Sequence, residues 1–317
     1  MKAKFLIAAA LLAAPALAEE TPAPSPGEIV AAAPAGDWVP IDHQDLLVMD
    51  LAPDRESRPR RVVIQLIPAP FSEAWTANIR TLARARWWDG LAIVRAQDNY
   101  VVQWGDPDAE DKAKAKPLPP LVTTKESEYL AQTEQVMMVD GQASGMIPRP
   151  EVTLARSDPY APSAGFALGW PIGFRWQSRA IWPVHCYGTV GVGRGMPPDA
   201  GSGAELYAVI GHAPRHLDRN IAVVGRVIEG IEHLSTLPRG SEALGFYKTP
   251  EERTPIAAIR LGSEVRGLPA YQYLSTESAS FARYADARAN RRDPFFIVPA
   301  GGADICNIPV PVRRAPG

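Results

Sequence analysis

The stretch WDGLAIVRAQDNYVVQWGD, residues 88–106, holds the clearest indication of the fold. It contains two short, mainly apolar runs, 91–94 and 100–104, separated by the polar sequence Gln-Asp-Asn. Runs of this kind on either side of a polar turn predict two neighbouring β-strands. Arg95 lies at the end of the first predicted strand, and Gln103 lies within the second.

Further strands are predicted on both sides of this stretch. Apolar residues alternate over 60–67, as one face of a sheet requires, and the run 45–51 is the expected antiparallel partner. Later in the chain, similar runs predict strands at 188–192, 206–210, 221–224 and 256–261. So many short strands favour closure into an antiparallel barrel, because closure leaves no edge strand unpaired.

Two helices are expected to close the open ends of that barrel. Ser72 can cap a helix in which apolar residues such as Trp75 and Ile79 recur at the spacing of one buried face. A second, shorter helix is predicted over 228–237. The sequence therefore predicts a mostly β fold, an eight-stranded antiparallel barrel capped by two helices.

Three regions lie outside this predicted barrel domain, which spans 45–265. Residues 19–44 are rich in Ala and Pro, show no helical or strand period, and are expected to form a flexible tether. The strand pattern also fails over 107–183, which we interpret as a long insertion. Residues 266–317 are expected to form a C-terminal extension that lies on the domain. Within these regions, helices are expected at 126–137 and 277–290.

The first 18 residues have the three parts of a secretory signal peptide. Lys2 and Lys4 precede an apolar run over 5–16, and Ala-Leu-Ala at 16–18 supplies the small residues of a cleavage site. The apolar run is shorter than the roughly 20 residues that span a bilayer. We therefore expect cleavage after Ala18 and a periplasmic or secreted protein without stable membrane insertion.

Net charge gives no indication of a polyanionic partner. The formal charge of the chain is −2, and loss of Lys2 and Lys4 with the signal peptide moves it to −4. A weakly acidic protein is not expected to bind nucleic acid or an acidic membrane surface.

The only two cysteines, Cys186 and Cys306, are a candidate disulfide. An exported chain enters a compartment in which such a pair can oxidise. The alternative is a pair of buried thiols that act as small apolar residues. The sequence alone leaves both interpretations open.

Three groups of motifs together resemble the cyclophilin family. The first consists of NIRTLA (78–83), WDGL (88–91), Arg95, Tyr100, Gln103 and GD (105–106). At the corresponding positions that family has Asn-Phe-x-x-Leu, Tyr-x-x-x-x-Phe-His-Arg and Phe-Met-x-Gln-Gly-Gly-Asp. The second consists of GTVGV (188–192) and ELY (205–207), in place of Gly-x-Leu-Ser-Met and Gln-Phe-Phe. The third consists of HLDRN (216–220), VGRV (224–227) and EG (229–230), which resemble Leu-Asp-x-x-x-x-x-Phe-Gly-x-Val-x-Glu-Gly. The order and spacing of these motifs are more specific for the family than any single motif.

The resemblance implies a cyclophilin-like barrel that acts as a peptidyl-prolyl cis-trans isomerase, without cofactor or metal. Its partners would be proline-containing segments of unfolded or exported proteins. Carried over position by position, Arg95 takes the place of the catalytic arginine, and Gln103 that of the glutamine that binds the substrate backbone. Seven further positions are expected to bind substrate: Tyr100, Val101, Gly193, Glu205, Tyr207, His216 and Leu217.

An arginine suits this chemistry on physical grounds. Rotation about an X-Pro bond breaks no bond, but amide resonance opposes it with a barrier of about 20 kcal/mol. A cation that stays charged at any relevant pH can localise the lone pair of the prolyl nitrogen while the amide twists.

Several positions depart from the family pattern and keep a second function open. Val94 replaces the histidine before the arginine, Trp104 replaces the first glycine of the Gly-Gly pair, and Glu205 replaces the usual glutamine. Glu205 is expected to lie close enough to Arg95 to pair with it. The alternative is a peptide- or protein-binding module or chaperone without isomerase activity, with the insertion tryptophans Trp170, Trp176 and Trp182 as a binding surface. An Arg95 that faces an open apolar pocket favours catalysis. One covered by Trp104, Glu205 or the insertion favours binding.

Overall fold

The computed structural model describes residues 22–132, 136–139, 142–146 and 152–316. The signal peptide predicted at 1–18 lies outside these described residues. Among the helices in the described ranges, none is long and apolar enough to cross a membrane.

Eight antiparallel strands close into a barrel, which confirms the predicted fold. The described residues contain eighteen strands, numbered β1 to β18 along the chain. Those of the barrel are β2 (Leu46–Leu51), β3 (Arg60–Leu66), β4 (Ala92–Ala96), β5 (Val101–Gly105), β13 (Thr189–Val192), β14 (Leu206–Val209), β15 (Val223–Glu229) and β16 (Thr254–Leu261). Their order around the barrel is β13-β14-β5-β4-β16-β2-β3-β15.

Two helices contribute apolar side chains to the barrel core. From α2 (Glu73–Arg84), Trp75, Ile79 and Leu82 are fully buried against the inward-facing strand residues. From α3 (Glu232–Ser235), Leu234 joins the same core. The predicted helix at 228–237 is shorter than expected, because β15 continues to Glu229 and its pairing with β3 uses those backbone groups.

Part of the insertion folds into a five-stranded antiparallel sheet, called the insertion sheet below. Its strands, in spatial order, are β6 (Ala131–Gln132), β12 (Ala180–Pro183), β11 (Trp170–Arg175), β10 (Ser163–Ala167) and β9 (Thr153–Arg156). A separate hairpin contains β7 (Val136–Val139) and β8 (Gln142–Met146). The helix predicted at 126–137 is wrong: a single 3-10 turn, Glu126–Tyr129, leads into β6, whose hydrogen bonds come from β12.

The tether predicted at 19–44 is wrong over its described part. Ser25 and Glu28 form a capping box that starts α1 (Pro26–Ala31), and β1 (Trp38–Ile41) pairs with β17 (Tyr271–Leu274) in the C-terminal extension. Both elements are too short for a visible period. They are stabilised instead by tertiary packing, since Ile29 and Trp38 join a core that includes Phe281.

The C-terminal extension packs against both the N-terminal segment and the insertion sheet. The predicted helix at 277–290 is observed as α4 (Ala279–Ala289). Phe281 of this helix contacts Phe166 of β10 edge to face, with 4.9 Å between ring centroids. The last strand, β18 (Val312–Arg314), adds to β17 and completes a three-stranded sheet with β1.

Cys186 and Cys306 form a disulfide, which excludes the alternative of two buried thiols. The bond links the residues just before β13 to the C-terminal extension across 120 positions of sequence.

We expect reduction of this disulfide to lower the free energy of unfolding by about 2–4 kcal/mol, because a closed loop restricts the unfolded chain. Urea denaturation with and without reductant measures the change. The double variant Cys186→Ser/Cys306→Ser is the control, and its unfolding midpoint should not respond to reductant. Equal midpoints for oxidised and reduced wild-type protein would contradict the prediction.

Candidate active site

The alternation of side chains along β5 and β14 places the predicted site on the outer face of the barrel. Val102, Trp104 and Leu206 point into the core, so their strand neighbours point outward. Strand pairing then sets Gln103 directly opposite both Arg95 on β4 and Tyr207 on β14. Residues far apart in sequence are thereby brought into one line across three strands.

Three polar side chains form an outward-facing row, defined here as Arg95, Gln103 and Glu205. Arg95 Nη1 donates to Gln103 Oε1 at 3.0 Å, and the Gln103 amide donates to a carboxylate oxygen of Glu205. Gln103 therefore lies between the two charged groups. Arg95 and Glu205 do not form the direct pair that their predicted proximity allowed.

The guanidinium of Arg95 is fixed by two further bonds. Its Nε donates to the carbonyl of Leu244 at 2.7 Å, and its Nη2 donates to the side-chain carbonyl of Gln97. Within the described part of the chain, these bonds and the one to Gln103 engage three of the five N–H donors of an arginine. The other two donors have no partner among the described residues.

Burial changes the protonation equilibria at both ends of the row. It lowers the pKa of Arg95, an effect partly offset by Tyr100 and Glu205. Burial raises the pKa of Glu205, and the hydrogen bond from Gln103 offsets part of this rise. Arg95 stays cationic at neutral pH because the ordinary value for arginine is far higher.

An apolar patch lies beside Arg95 and includes most of the residues expected to hold a proline ring. Val101 and Tyr207 are buried at its centre with Val209, and the partly buried Tyr100, Leu217 and Ile221 surround them. The ring of His216 stacks on that of Tyr100, with 6.3 Å between centroids and planes 10° apart.

Gly193 is adjacent to the polar row and not to the apolar patch. Its N–H donates to the carbonyl of Glu205 at 2.8 Å. A Cβ at this position would lie 2.8 Å from Cγ of Glu205, closer than atoms normally approach. All nine predicted site residues therefore lie on one face, while their individual roles remain predictions.

Arg95 is partly covered, but by a segment that the sequence did not indicate. Phe246 forms a β-bridge with Arg95, and its ring centroid lies 5.2 Å from the guanidinium carbon. Trp104 does not cover the arginine, since it is buried inside the barrel. Glu205 is separated from Arg95 by Gln103.

Comparison with known proteins identifies the family. Residues 57–261, more than half of the chain, match the family model described as cyclophilin type peptidyl-prolyl cis-trans isomerase/CLD. The chain belongs to this family. A search of curated proteins finds no match.

Two solved cyclophilin structures are among the matches, and the first is similar in fold. Cyclophilin AquaCyp293 from Hirschia baltica superposes with a TM-score of 0.58 at 18% identity, over 88% of this chain and 95% of that one. A Cryptosporidium parvum cyclophilin-type isomerase, crystallised with the dipeptide Ala-Pro, gives a TM-score of 0.35 at 11% identity, over 68% and 98% of the two chains. The first similarity covers more of the chain than the family model does, so it includes elements outside the barrel.

A buried polar network lies beneath the apolar patch of this cyclophilin. His185 Nδ1 lies 3.0 Å from Oδ1 of Asp218, and Nε2 lies 2.8 Å from the hydroxyl of Tyr207. Because a carboxylate only accepts, Nδ1 donates to Asp218, and in the neutral ring Nε2 accepts from Tyr207. The Tyr207 hydroxyl is therefore satisfied within the protein, and the patch above it stays apolar.

The network continues to a second aspartate, in the insertion. Arg215 donates through Nε to Asp218 Oδ2 at 2.6 Å, and through both terminal nitrogens to the carboxylate of Asp158, at 3.0 and 2.9 Å. The side chains of Arg215, Asp218 and Asp158 are at most 3% exposed. The network thus joins the floor of the site to the insertion.

The sequence analysis missed this network, although one signal for it was present. His185 follows the apolar run IWPV (181–184), so a polar side chain was expected to be either exposed or specifically paired. Asp218 lies within a motif already matched to the family. Their partners are distant in sequence, and no local pattern connects them.

We expect Glu205→Gln to stabilise the protein at neutral pH and not at acid pH. Burial raises the pKa of Glu205 above its ordinary 4.5, so the folded protein binds this proton more tightly than the unfolded chain. As the pH rises above the pKa that Glu205 has in the unfolded chain, its ionisation therefore lowers the free energy of unfolding. Gln cannot ionise and keeps the size and the contact to Gln103.

Urea denaturation at pH 7 and at about pH 4 measures this difference. The variant should be more stable than wild type at pH 7 and equal to it at pH 4. The exposed Glu56→Gln is the control and should not show this pattern. A stability difference for Glu205→Gln that is the same at both pH values would contradict the assignment.

Proposed function

We propose that this cyclophilin catalyses cis-trans isomerisation of X-Pro bonds in extended segments of exported proteins. The observation that carries the proposal is the fixed guanidinium of Arg95, held by Gln103 at the edge of the apolar patch. A cation placed in advance beside an apolar surface is the arrangement that stabilises a twisted prolyl amide, because it does not have to reorganise during the rotation.

Each part of the site has a role in this mechanism. The proline ring packs on Val101, Tyr207 and Leu217, and the buried network holds the hydroxyl of Tyr207. Gln103 keeps one carbonyl lone pair and one amide hydrogen beyond its bonds to Arg95 and Glu205, and these bind the substrate backbone. A free N–H of Arg95 donates to the prolyl nitrogen as its lone pair localises.

The proposed substrates follow from the proposed compartment. A signal-like segment at 1–18 and a disulfide between distant residues are both typical of exported proteins. A periplasmic or secreted isomerase acts on chains that have just crossed the membrane, in which slow X-Pro isomerisation delays folding.

A peptide-binding module without catalysis is the second candidate, and one observation favours it. The Nε of Arg95 is occupied by the carbonyl of Leu244, and Phe246 lies on the guanidinium, so the segment 244–246 restricts access to the arginine. The covering segment exposes Leu244 and Phe246, which are 64% and 38% exposed and supply apolar surface for an extended peptide.

The deciding experiment is the cis-to-trans rate of an Ala-Pro test peptide with residues 19–317. Acceleration proportional to protein concentration is the expected result and supports the isomerase. If the folded protein leaves the rate unchanged, the isomerase proposal fails for such peptides. Saturable binding of the same peptide, followed by fluorescence anisotropy, would then support the binding module.

A further inference from the structure

A cavity away from the proposed active site lies where three parts of the molecule meet. It has a volume of about 360 Å³ and is lined by the barrel, the insertion sheet and the C-terminal extension. Its wall is mainly apolar, with Trp170 from the insertion sheet and Ile305 and Ile308 from the extension. The volume lies within the range of small-molecule sites.

The charged residues of this cavity are all of one sign. Of the described residues that line it, Arg226 and Arg288 are cationic, and none is Asp or Glu. Arg288, on α4, donates through Nε to the carbonyl of Asn307 at 2.7 Å. An apolar wall with two guanidinium groups is complementary to a molecule with one anionic end.

Arg226 is a partly buried cation whose hydrogen-bond acceptors are neutral. Its Nε and Nη2 donate to the side-chain carbonyl of Gln65 at 2.9 and 2.7 Å, and its Nη1 donates to the carbonyl of Gly169 at 2.8 Å. The ring centroid of Trp170 lies 4.4 Å from the guanidinium carbon. Within the described part of the chain, no carboxylate pairs with Arg226.

The contrast with Arg215 shows what Arg226 lacks. Arg215 is also buried, and two aspartates neutralise it. Removing a guanidinium from water without a counter-ion is costly, and burial lowers the pKa of Arg226 to about 10. A carboxylate that enters the cavity would supply the missing charge and accept from the two N–H donors of Arg226 that these bonds leave over.

We propose that this cavity binds a small aliphatic carboxylate, with the anionic group at the two arginines and the hydrocarbon chain against the apolar wall. At about 30 Å³ for each water, the volume corresponds to roughly a dozen waters. A ligand with about that number of non-hydrogen atoms fits, and decanoate is a suitable probe.

Isothermal titration calorimetry with decanoate and 1-decanol, below their aggregation concentrations, tests the proposal. We expect one decanoate per chain and an affinity for decanol at least about ten-fold weaker, equivalent to about 1.4 kcal/mol. Equal affinities would show an apolar cavity without anion recognition and would overturn the proposal. So would the absence of saturable decanoate binding up to about 1 mM.

Two variants on one helix locate the binding site. Arg288→Gln should weaken decanoate binding by about five- to ten-fold, since a charged hydrogen bond is lost. Arg283→Gln on the same helix is the matched control, because Arg283 lines a different cavity. Equal loss in both variants, or loss in neither, would overturn the assignment. Binding is measured directly, so the result does not depend on isomerase activity.

Discussion

Arg95→Ala is expected to reduce kcat/KM for X-Pro isomerisation by about a hundred-fold or more. Loss of one preorganised donor that acts in the transition state typically costs about 10² to 10³ in rate. The variant also frees Gln103, which loses the partner that orients its carbonyl. The affinity of the apolar patch for proline should change less, so the loss is expected mainly in kcat.

Two further variants make this result specific. Arg95→Lys keeps the charge but not the fork of donors, and we expect it to recover only part of the activity. Arg61→Ala removes an exposed arginine from the barrel strand β3 and should leave activity unchanged. Wild-type activity in a folded Arg95→Ala protein, with an unchanged circular dichroism spectrum, would exclude Arg95 as the catalytic residue.

Asp218→Ala is expected to lower the free energy of unfolding by about 3–5 kcal/mol. Its carboxylate accepts from Arg215, from the His185 ring and from the His185 backbone N–H, all buried. Without it, Arg215 retains Asp158 and, at 3.9 Å, Asp304, while the His185 donors lose their acceptor. Arg215 Nε and two His185 N–H groups are then buried without an acceptor, and each such donor costs about 1–3 kcal/mol.

The matched control for this prediction is an exposed aspartate in an equally well-formed pair. Asp50 accepts two bonds from Arg61 near the surface, and Asp50→Ala should cost at most about 1 kcal/mol. Urea unfolding midpoints of both variants measure the difference. Similar losses in the two proteins would show that the buried network does not stabilise the fold more than a surface pair.

The positions of the barrel strands were predictable because the pattern of apolar residues within each strand indicates that strand without reference to its partners. In β3 and β5, residues that face the barrel core alternate with residues that face outward, although most of both sets are buried. A register shift in the pairing of β4 with β5 brings Arg95 to the face of Gln103. The candidate site could therefore be assembled from local patterns and a family resemblance.

Apart from α4, the elements outside the barrel could not be predicted, because their stability is not local. The strand β1 has four residues and the helix α1 has six, too few to show a period. The insertion sheet includes strands whose partners are up to about fifty residues away, such as β6 and β12. Hydrogen bonds of this range leave no pattern in either segment by itself.

By itself, the sequence determined the family, the barrel and the outward face of Gln103 and Tyr207, since these depend on residue type and a period of two. The pairing of β4 with β5 contains a register shift, and that shift brings Arg95 to the same face. Only the tertiary structure decided how the site is supported and partly covered. Phe246 reaches Arg95, and His185 reaches Tyr207, through contacts between segments that are distant along the chain. Charges and hydroxyls acquire their partners when such segments pack, and the cost of burying them unpaired makes those contacts specific.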